Sequence, residues 1–201
     1  MTVHKIAILV GSLRKDSINR KIARSIASQA SERFHSEIVE IGNLPLYNED
    51  IDAAPPAEYR AFREKISGVD GVLFCTPEYN RGLPGVLKNA IDVGSRPYGA
   101  SVWDKKPAAV VSASPGAIGG FGANHQLRQL CVFLNMPMMQ QPEAYLGGIT
   151  GDKFDADGLL ADGPLKDFVG KIAKAFADWV DVIVRARTEI AEDGAHAAKG
   201  R

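Results

Sequence analysis

Short apolar runs alternate along this chain with stretches in which apolar residues recur at helical spacing. Residues 5–10, 71–75 and 107–113 are apolar almost throughout, so we expect each of these strands to be buried on both faces. Strands of this kind form parallel sheets that carry helices on both sides. The alternation therefore predicts an α/β protein built in three layers.

Two weaker runs, 37–41 and 136–139, complete a set of five predicted strands. The predicted helices lie at about 18–30, 56–66, 84–91, 127–134 and 165–183. No repeat or change in composition divides the chain, so we expect residues 1–190 to form one domain. The small and charged residues 191–201 predict a flexible carboxy-terminal tail.

Charge and cysteine content narrow the classes of function. Lysine and arginine together number 24, as do aspartate and glutamate, so the formal net charge is zero, whereas a nucleic-acid-binding domain is normally basic. Cys75 and Cys131 lie in apolar runs without a C-x-x-C motif, which predicts buried thiols. The histidines show no metal-ligand spacing. Because no signal peptide or membrane-length apolar run is recognisable, we expect a cytoplasmic protein.

The loop after the first strand, residues 11–19, predicts an anion site. A glycine, hydroxyl groups, an amide and an arginine stand there between a strand and a helix, and a helix amino terminus attracts phosphate. The loop lacks the second glycine of G-x-G-x-x-G and the Gly-Lys-Ser/Thr ending of a P-loop. This favours the monophosphate of a mononucleotide over a dinucleotide. The alternative is an ordinary loop in which Ser17 only caps the helix.

Two further loops follow the strands at 71–75 and 107–113. Residues 76–85 combine prolines, an aromatic ring and amide groups, and residues 112–122 are rich in glycine and hydroxyl groups. Ligands of open α/β sheets bind beyond the carboxyl ends of the strands, where these loops would meet the first one. The three loops together predict a planar ligand that carries a phosphate.

The motifs in these loops resemble those of the NADPH-dependent FMN reductases. They read G-S-L-R-K-x-S-x-N from Gly11, T-P-E-Y-N-x-x-x-P-G-x-L-K-N-A-I-D from Thr76, and G-x-x-G-G from Gly116. The sequence looks most similar to the bacterial quinone reductases that are also described as chromate reductases, from about residue 5 to 184. The resemblance implies a flavodoxin-like fold with strand order 2-1-3-4-5 and noncovalently bound FMN.

The resemblance also assigns residues to the cofactor. It places the FMN phosphate at the first loop, on Ser12, Arg14, Ser17, Ile18 and Asn19. It places the flavin ring and ribityl chain at the other two loops, on Pro77, Glu78, Tyr79, Asn80, Ser114 and Gly116. Arg14 has a second possible role, which is to bind the extra phosphate of NADPH.

The implied activity is hydride transfer from NADPH or NADH through FMN to a small acceptor: a quinone, free flavin, an azo compound or a metal oxyanion. Because the cofactor carries this chemistry, we predict no catalytic acid or base, and we expect Glu78 to hold its loop. The main alternative is a flavodoxin-type electron carrier that reacts poorly with NAD(P)H. Such carriers tend to be strongly acidic, and this chain is neutral.

The same resemblance predicts a homodimer or a homotetramer. Two long loops, 43–54 and 93–103, carry Tyr47, Tyr98 and Trp103, and these rings are expected to be exposed near the active site. A neighbouring subunit would cover them.

Overall fold

A five-stranded parallel sheet forms the centre of the protein, whose computed structural model describes residues 2–199, with side chains for residues 2–193. The sheet order is β2-β1-β3-β4-β5, and every neighbouring pair is parallel. The strands are β1 (His4–Val10), β2 (Phe34–Val39), β3 (Gly71–Thr76), β4 (Ala108–Ala113) and β5 (Tyr145–Leu146). The predicted strand order is confirmed.

Helices cover both faces of this sheet. They are α1 (Ile18–Gln29), α2 (Ala57–Ser67), α3 (Gly85–Ser95), α4 (Phe121–Phe133) and α5 (Pro164–Lys199). The apolar faces of α1 and α5 pack on one side of the sheet, and those of α2, α3 and α4 pack on the other. The predicted flavodoxin-like three-layer sandwich is therefore confirmed.

Strand β1 shows why an uninterrupted apolar run is needed at the centre. Ile6 and Ile8 point into the core beneath α1 and α5, while Ala7 and Leu9 point into the core on the other side. All four are at most 1 % exposed, because successive side chains of a strand alternate between its faces.

The prediction of a fifth strand at residues 136–139 is wrong. That segment makes one bridge, between Met138 and Ala108, and β5 pairs instead further along, where Ser112 and Ala113 face Tyr145 and Leu146. Pro137 and Pro142 lack a backbone N–H, so neither can donate to a regular ladder at its own position. Two short segments thus share the edge of the sheet.

The expectation that Trp103 is exposed is also wrong. Its indole ring is fully buried between Phe62 and Phe74, and its Nε1–H donates to the Ile91 carbonyl at 2.9 Å. The space for the ring comes from Gly94, since a Cβ at that position would overlap the indole. Tyr98, in contrast, is 92 % exposed.

Helix α5 is longer than its predicted apolar stripe. Its backbone is helical from Pro164 through Lys199, so it includes most of the segment predicted to be a tail. The mobility of residues 191–201 stays a prediction, and residues 200 and 201 lie outside the described part of the chain. None of the helices described is both long and apolar enough to cross a membrane.

Candidate active site

The three predicted loops meet at the carboxyl edge of the sheet and enclose two adjoining cavities. The first has a volume of about 140 Å³ and lies between the loops after β1, β3 and β4. The second has a volume of about 320 Å³ and lies between the loops after β3 and β4. Glu78 and Ser114 line both cavities, so the two are neighbouring parts of one cleft.

All eleven residues predicted to bind the cofactor line this cleft. Nine lie around the first cavity: Ser12, Arg14, Ser17, Ile18, Asn19, Pro77, Glu78, Tyr79 and Ser114. Asn80 and Gly116 line the second cavity. The structure thus brings together residues up to about a hundred positions apart in sequence, while their binding roles stay predictions.

The first cavity presents hydrogen-bond donors at the start of α1. Ser17 caps the helix, and its Oγ accepts from the Arg20 N–H at 3.2 Å. The first amides of a helix have no partner within it, and the first turn of α1 has no acidic side chain to occupy them. Arg14 is exposed beside them and forms no ion pair with any described residue. This donor set fits a phosphate.

Asn19 ties the first loop to the end of β4. Its Nδ2 donates to the Ala113 carbonyl at 3.0 Å, and its Oδ1 accepts from the Ala113 N–H at 3.2 Å. The side chain is 3 % exposed, so both bonds are shielded from water. The amide group is therefore committed to the protein, and Asn19 shapes the cavity while offering a ligand its backbone.

Glu78 fastens the second loop to the start of α4. Its Oε2 accepts from the Ala123 N–H at 2.9 Å, and its Oε1 accepts from Arg81 at 3.2 Å. Burial opposes ionisation of this carboxyl, but the Ala123 and Gly122 amides and Arg81 outweigh it, so its pKa is lowered. Glu78 is thus a carboxylate that holds its loop.

The tip of the second loop is a tight turn. Tyr79 and Gly82 exchange two backbone hydrogen bonds of 3.0 Å, and the two residues between them have positive φ angles, 52° at Asn80 and 66° at Arg81. Asparagine adopts this conformation more readily than other residues with side chains, and arginine rarely adopts it. The turn places both residues at the second cavity.

Glycines let the third loop approach its neighbours closely. Gly119 has a φ of 65°, and a Cβ there would lie 2.6 Å from the backbone carbonyl carbon of Tyr145. Gly120 has a φ of 76° and lies at the amino end of α4. This close path forms one wall of the second cavity with Ala117 and Ile118.

Several lining residues were not among the predicted ones. Ala113, Pro115, Ala117 and Ile118 belong to the predicted third loop, but their types carry no chemical signal in the sequence. Gly120 belongs to the glycine motif of that loop but was not assigned to the cofactor. Arg81 occupies a variable position of the second motif, and its approach to the cavity depends on a turn geometry that sequence spacing does not reveal.

Both cysteines are free and buried, as predicted. Burial raises the pKa of Cys75 strongly and raises that of Cys131 to about 12. Neither thiol lines the cleft. The described residues also contain no cluster of side chains that could hold a metal ion.

A 2-1-3-4-5 parallel sheet with a cavity at the switch point between β1 and β3 defines a flavodoxin-like protein, and ligands of open α/β sheets bind at this point. Comparison with protein families gives the narrower assignment. Residues 4–151 match the family model of the NADPH-dependent FMN reductases, and the chain belongs to this family.

Individual relatives match over nearly their whole length. A quinone reductase of Pseudomonas putida is 59 % identical over 179 residues, covering 89 % of this chain and 95 % of the relative. A 2-hydroxy-1,4-benzoquinone reductase of a Burkholderia species is 44 % identical, covering 88 % and 96 %. Among solved structures, the flavoenzyme FerB of Paracoccus denitrificans, an NAD(P)H:(acceptor) oxidoreductase, has a TM-score of 0.85. It is 40 % identical, with 89 % of this chain and 98 % of FerB covered.

Proposed function

We propose that this protein is an NAD(P)H-dependent FMN oxidoreductase that reduces quinones. The observation that carries the proposal is the convergence of a phosphate-type donor set and a second, wider cavity in one cleft of an FMN reductase fold. Its relatives include proteins named quinone reductase and NAD(P)H-dependent FMN reductase.

FMN would lie along the cleft, with its phosphate in the first cavity. Ser12, Ser17 and the first amides of α1 offer hydrogen bonds there, and Arg14 adds a positive charge. The ring and ribityl chain would meet the second and third loops, at Pro77, Glu78, Tyr79, Asn80, Ser114 and Gly116.

Bound FMN would supply the redox chemistry, which is two-electron transfer from NAD(P)H to the acceptor. The protein supplies binding, orientation and electrostatics. Glu78 is committed to the start of α4, which keeps its charge compensated and fixes the wall that both cavities share. We assign no catalytic acid or base.

Anaerobic addition of NADPH or NADH to the purified protein tests this function. We expect oxidised flavin bands in the visible spectrum that bleach within seconds and return when a quinone is added. Flavin bands that persist with both nucleotides would instead indicate the electron-carrier alternative. A protein without flavin bands, even after incubation with FMN, would contradict the assignment of the cleft.

The acceptor is a quinone in this proposal because two of the relatives described above are named as quinone reductases. Free flavin, azo compounds and metal oxyanions are secondary acceptors, which the open second cavity would also admit. We further propose a cytoplasmic location, which two free cysteines support, and one catalytic domain at residues 1–190.

We also propose that the protein is a homodimer or a homotetramer. Ile118 lines the second cavity and is 55 % exposed, while Phe121 and Tyr98 are 47 % and 92 % exposed. A second subunit would bury such side chains and cover the cleft. We expect light scattering at micromolar concentration to give two or four times the 21.6 kDa mass of the chain. A mass of one chain would contradict the proposal.

A further inference from the structure

Among the described residues, Arg81 is the one cationic residue that lines the second cavity. Glu78 is the acidic residue of the same lining, and the other lining residues carry no charge. The Glu78 carboxylate accepts hydrogen bonds from the amides at the start of α4 and from Arg81. Arg81 therefore brings to this cavity a guanidinium that is paired with Glu78 on one side.

Most of the Arg81 guanidinium is available to a ligand. Its Nη1 donates to Glu78 Oε1 at 3.2 Å, and the side chain is 76 % exposed. A guanidinium has five N–H donors in a planar arrangement, which suits a carboxylate-like anion with two oxygens. The contact joins the group to Glu78, which lines both cavities.

The backbone of Arg81 supports a role for its side chain. Its φ of 66° lies in the left-handed region, which is unfavourable for arginine and free of cost for glycine. Unfavourable backbone conformations of this kind cluster at ligand-binding and active sites, where surrounding structure holds them in place. Here the paired hydrogen bonds of Tyr79 and Gly82 hold the turn.

We propose that Arg81 binds the oxyanion of the electron acceptor and makes the enzyme select anionic hydroxyquinones over neutral quinones. The inference rests on the proposed reductase function and names its substrate class. The hydroxyl group of a 2-hydroxyquinone is a vinylogous carboxylic acid, so this class is anionic at neutral pH. Its ionised oxygen and the adjacent carbonyl oxygen form the two-oxygen pattern that a guanidinium binds.

The position of the guanidinium favours the electron acceptor, and not the phosphates of NAD(P)H, as the ligand of Arg81. Glu78, which tethers it, lines the cavity wall where the ring of FMN is expected. An acceptor must contact that ring, and a benzoquinone carries its oxygens directly on its own ring. The phosphates of NAD(P)H are separated from the nicotinamide by a ribose, which takes them away from the point of contact.

The test compares 2-hydroxy-1,4-benzoquinone with 2-methoxy-1,4-benzoquinone, which has a similar size and no acidic proton. We expect Arg81→Gln to lower the kcat/KM ratio of hydroxyquinone to methoxyquinone about ten-fold or more, with Arg81→Lys intermediate. Isothermal titration calorimetry of the oxidised holoenzyme with hydroxyquinone, without NAD(P)H, should show a Kd about ten-fold or more higher for Arg81→Gln than for the wild type. Arg60→Gln, at an exposed arginine on α2 outside both cavities, is the matched control and should change neither value.

Two results would overturn the inference. Equal losses with both quinones, accompanied by loss of flavin, would mean that Arg81 only supports the Glu78 loop. A raised KM for NADPH with an unchanged quinone ratio would assign Arg81 to the nucleotide. Failure of the proposed function is distinguishable, because the wild type would then fail to reduce methoxyquinone, while the titration would still report on Arg81.

Discussion

Replacing Asn19 with aspartate is expected to weaken FMN binding by about 100-fold, which corresponds to about 3 kcal/mol. An ionised aspartate cannot donate to the Ala113 carbonyl, so the bond of 3.0 Å is replaced by repulsion between two buried oxygens. The first and third loops then separate where they line the first cavity. The carboxylate would also repel the phosphate. Fluorescence titration of the apoprotein with FMN measures the change in Kd.

Asn124→Asp provides the matched control for this variant. Asn124 is also a fully buried amide, and its Nδ2 donates to Ser112 Oγ and to the Ala144 carbonyl at the edge of the sheet. It lines neither cavity, so its replacement should lower stability with much less effect on the Kd of FMN. Equal increases in Kd for the two variants would show that general loosening, and not the tie to Ala113, weakens binding.

Trp103→Ala is expected to lower the free energy of unfolding by about 3–5 kcal/mol. The substitution removes a fully buried indole, its contacts with Phe62 and Phe74, and a hydrogen bond to the Ile91 carbonyl. The cavity left behind lies between α2, α3 and the sheet, whose elements cannot collapse onto it without moving the sheet. Urea unfolding followed by circular dichroism measures the loss.

Tyr98→Ala serves as the control in the same loop. Within a single chain the Tyr98 side chain is 92 % exposed, so its removal should lower the free energy of unfolding far less than removal of the Trp103 indole, even where a second subunit contacts it. A Trp103→Ala protein as stable as the Tyr98→Ala protein would be incompatible with the buried position of the indole. Gly94→Ala should also destabilise the fold, because its Cβ would overlap the Trp103 ring.

The central strands could be predicted from sequence because their burial on both faces leaves an uninterrupted apolar run. This holds for β1, β3 and β4, whose observed bounds lie within about one residue of the predicted ones. Strand β5 could not be located in this way. Its two residues pair with β4 through backbone hydrogen bonds, and a pair of residues is too short to show a period.

The loops of the site were predictable for a topological reason. The carboxyl ends of parallel strands meet at one edge, so polar loops that follow β1, β3 and β4 must converge. The direction of individual side chains was not predictable. Asn19 turns toward Ala113, 94 positions away, and Trp103 is buried because Gly94 on α3 leaves room for it. Each depends on a partner that only the folded chain supplies.

The burial of both thiols has a further consequence for a protein that handles quinones. Quinones are electrophiles that add to thiolates, and the thiolate is the reactive form of cysteine. Cys75 and Cys131 are fully buried and their pKa values are raised, so the thiolate is scarce and shielded from the solvent. The cleft that would admit the acceptor contains neither of them. The fold thereby protects the catalyst from alkylation by its own substrate.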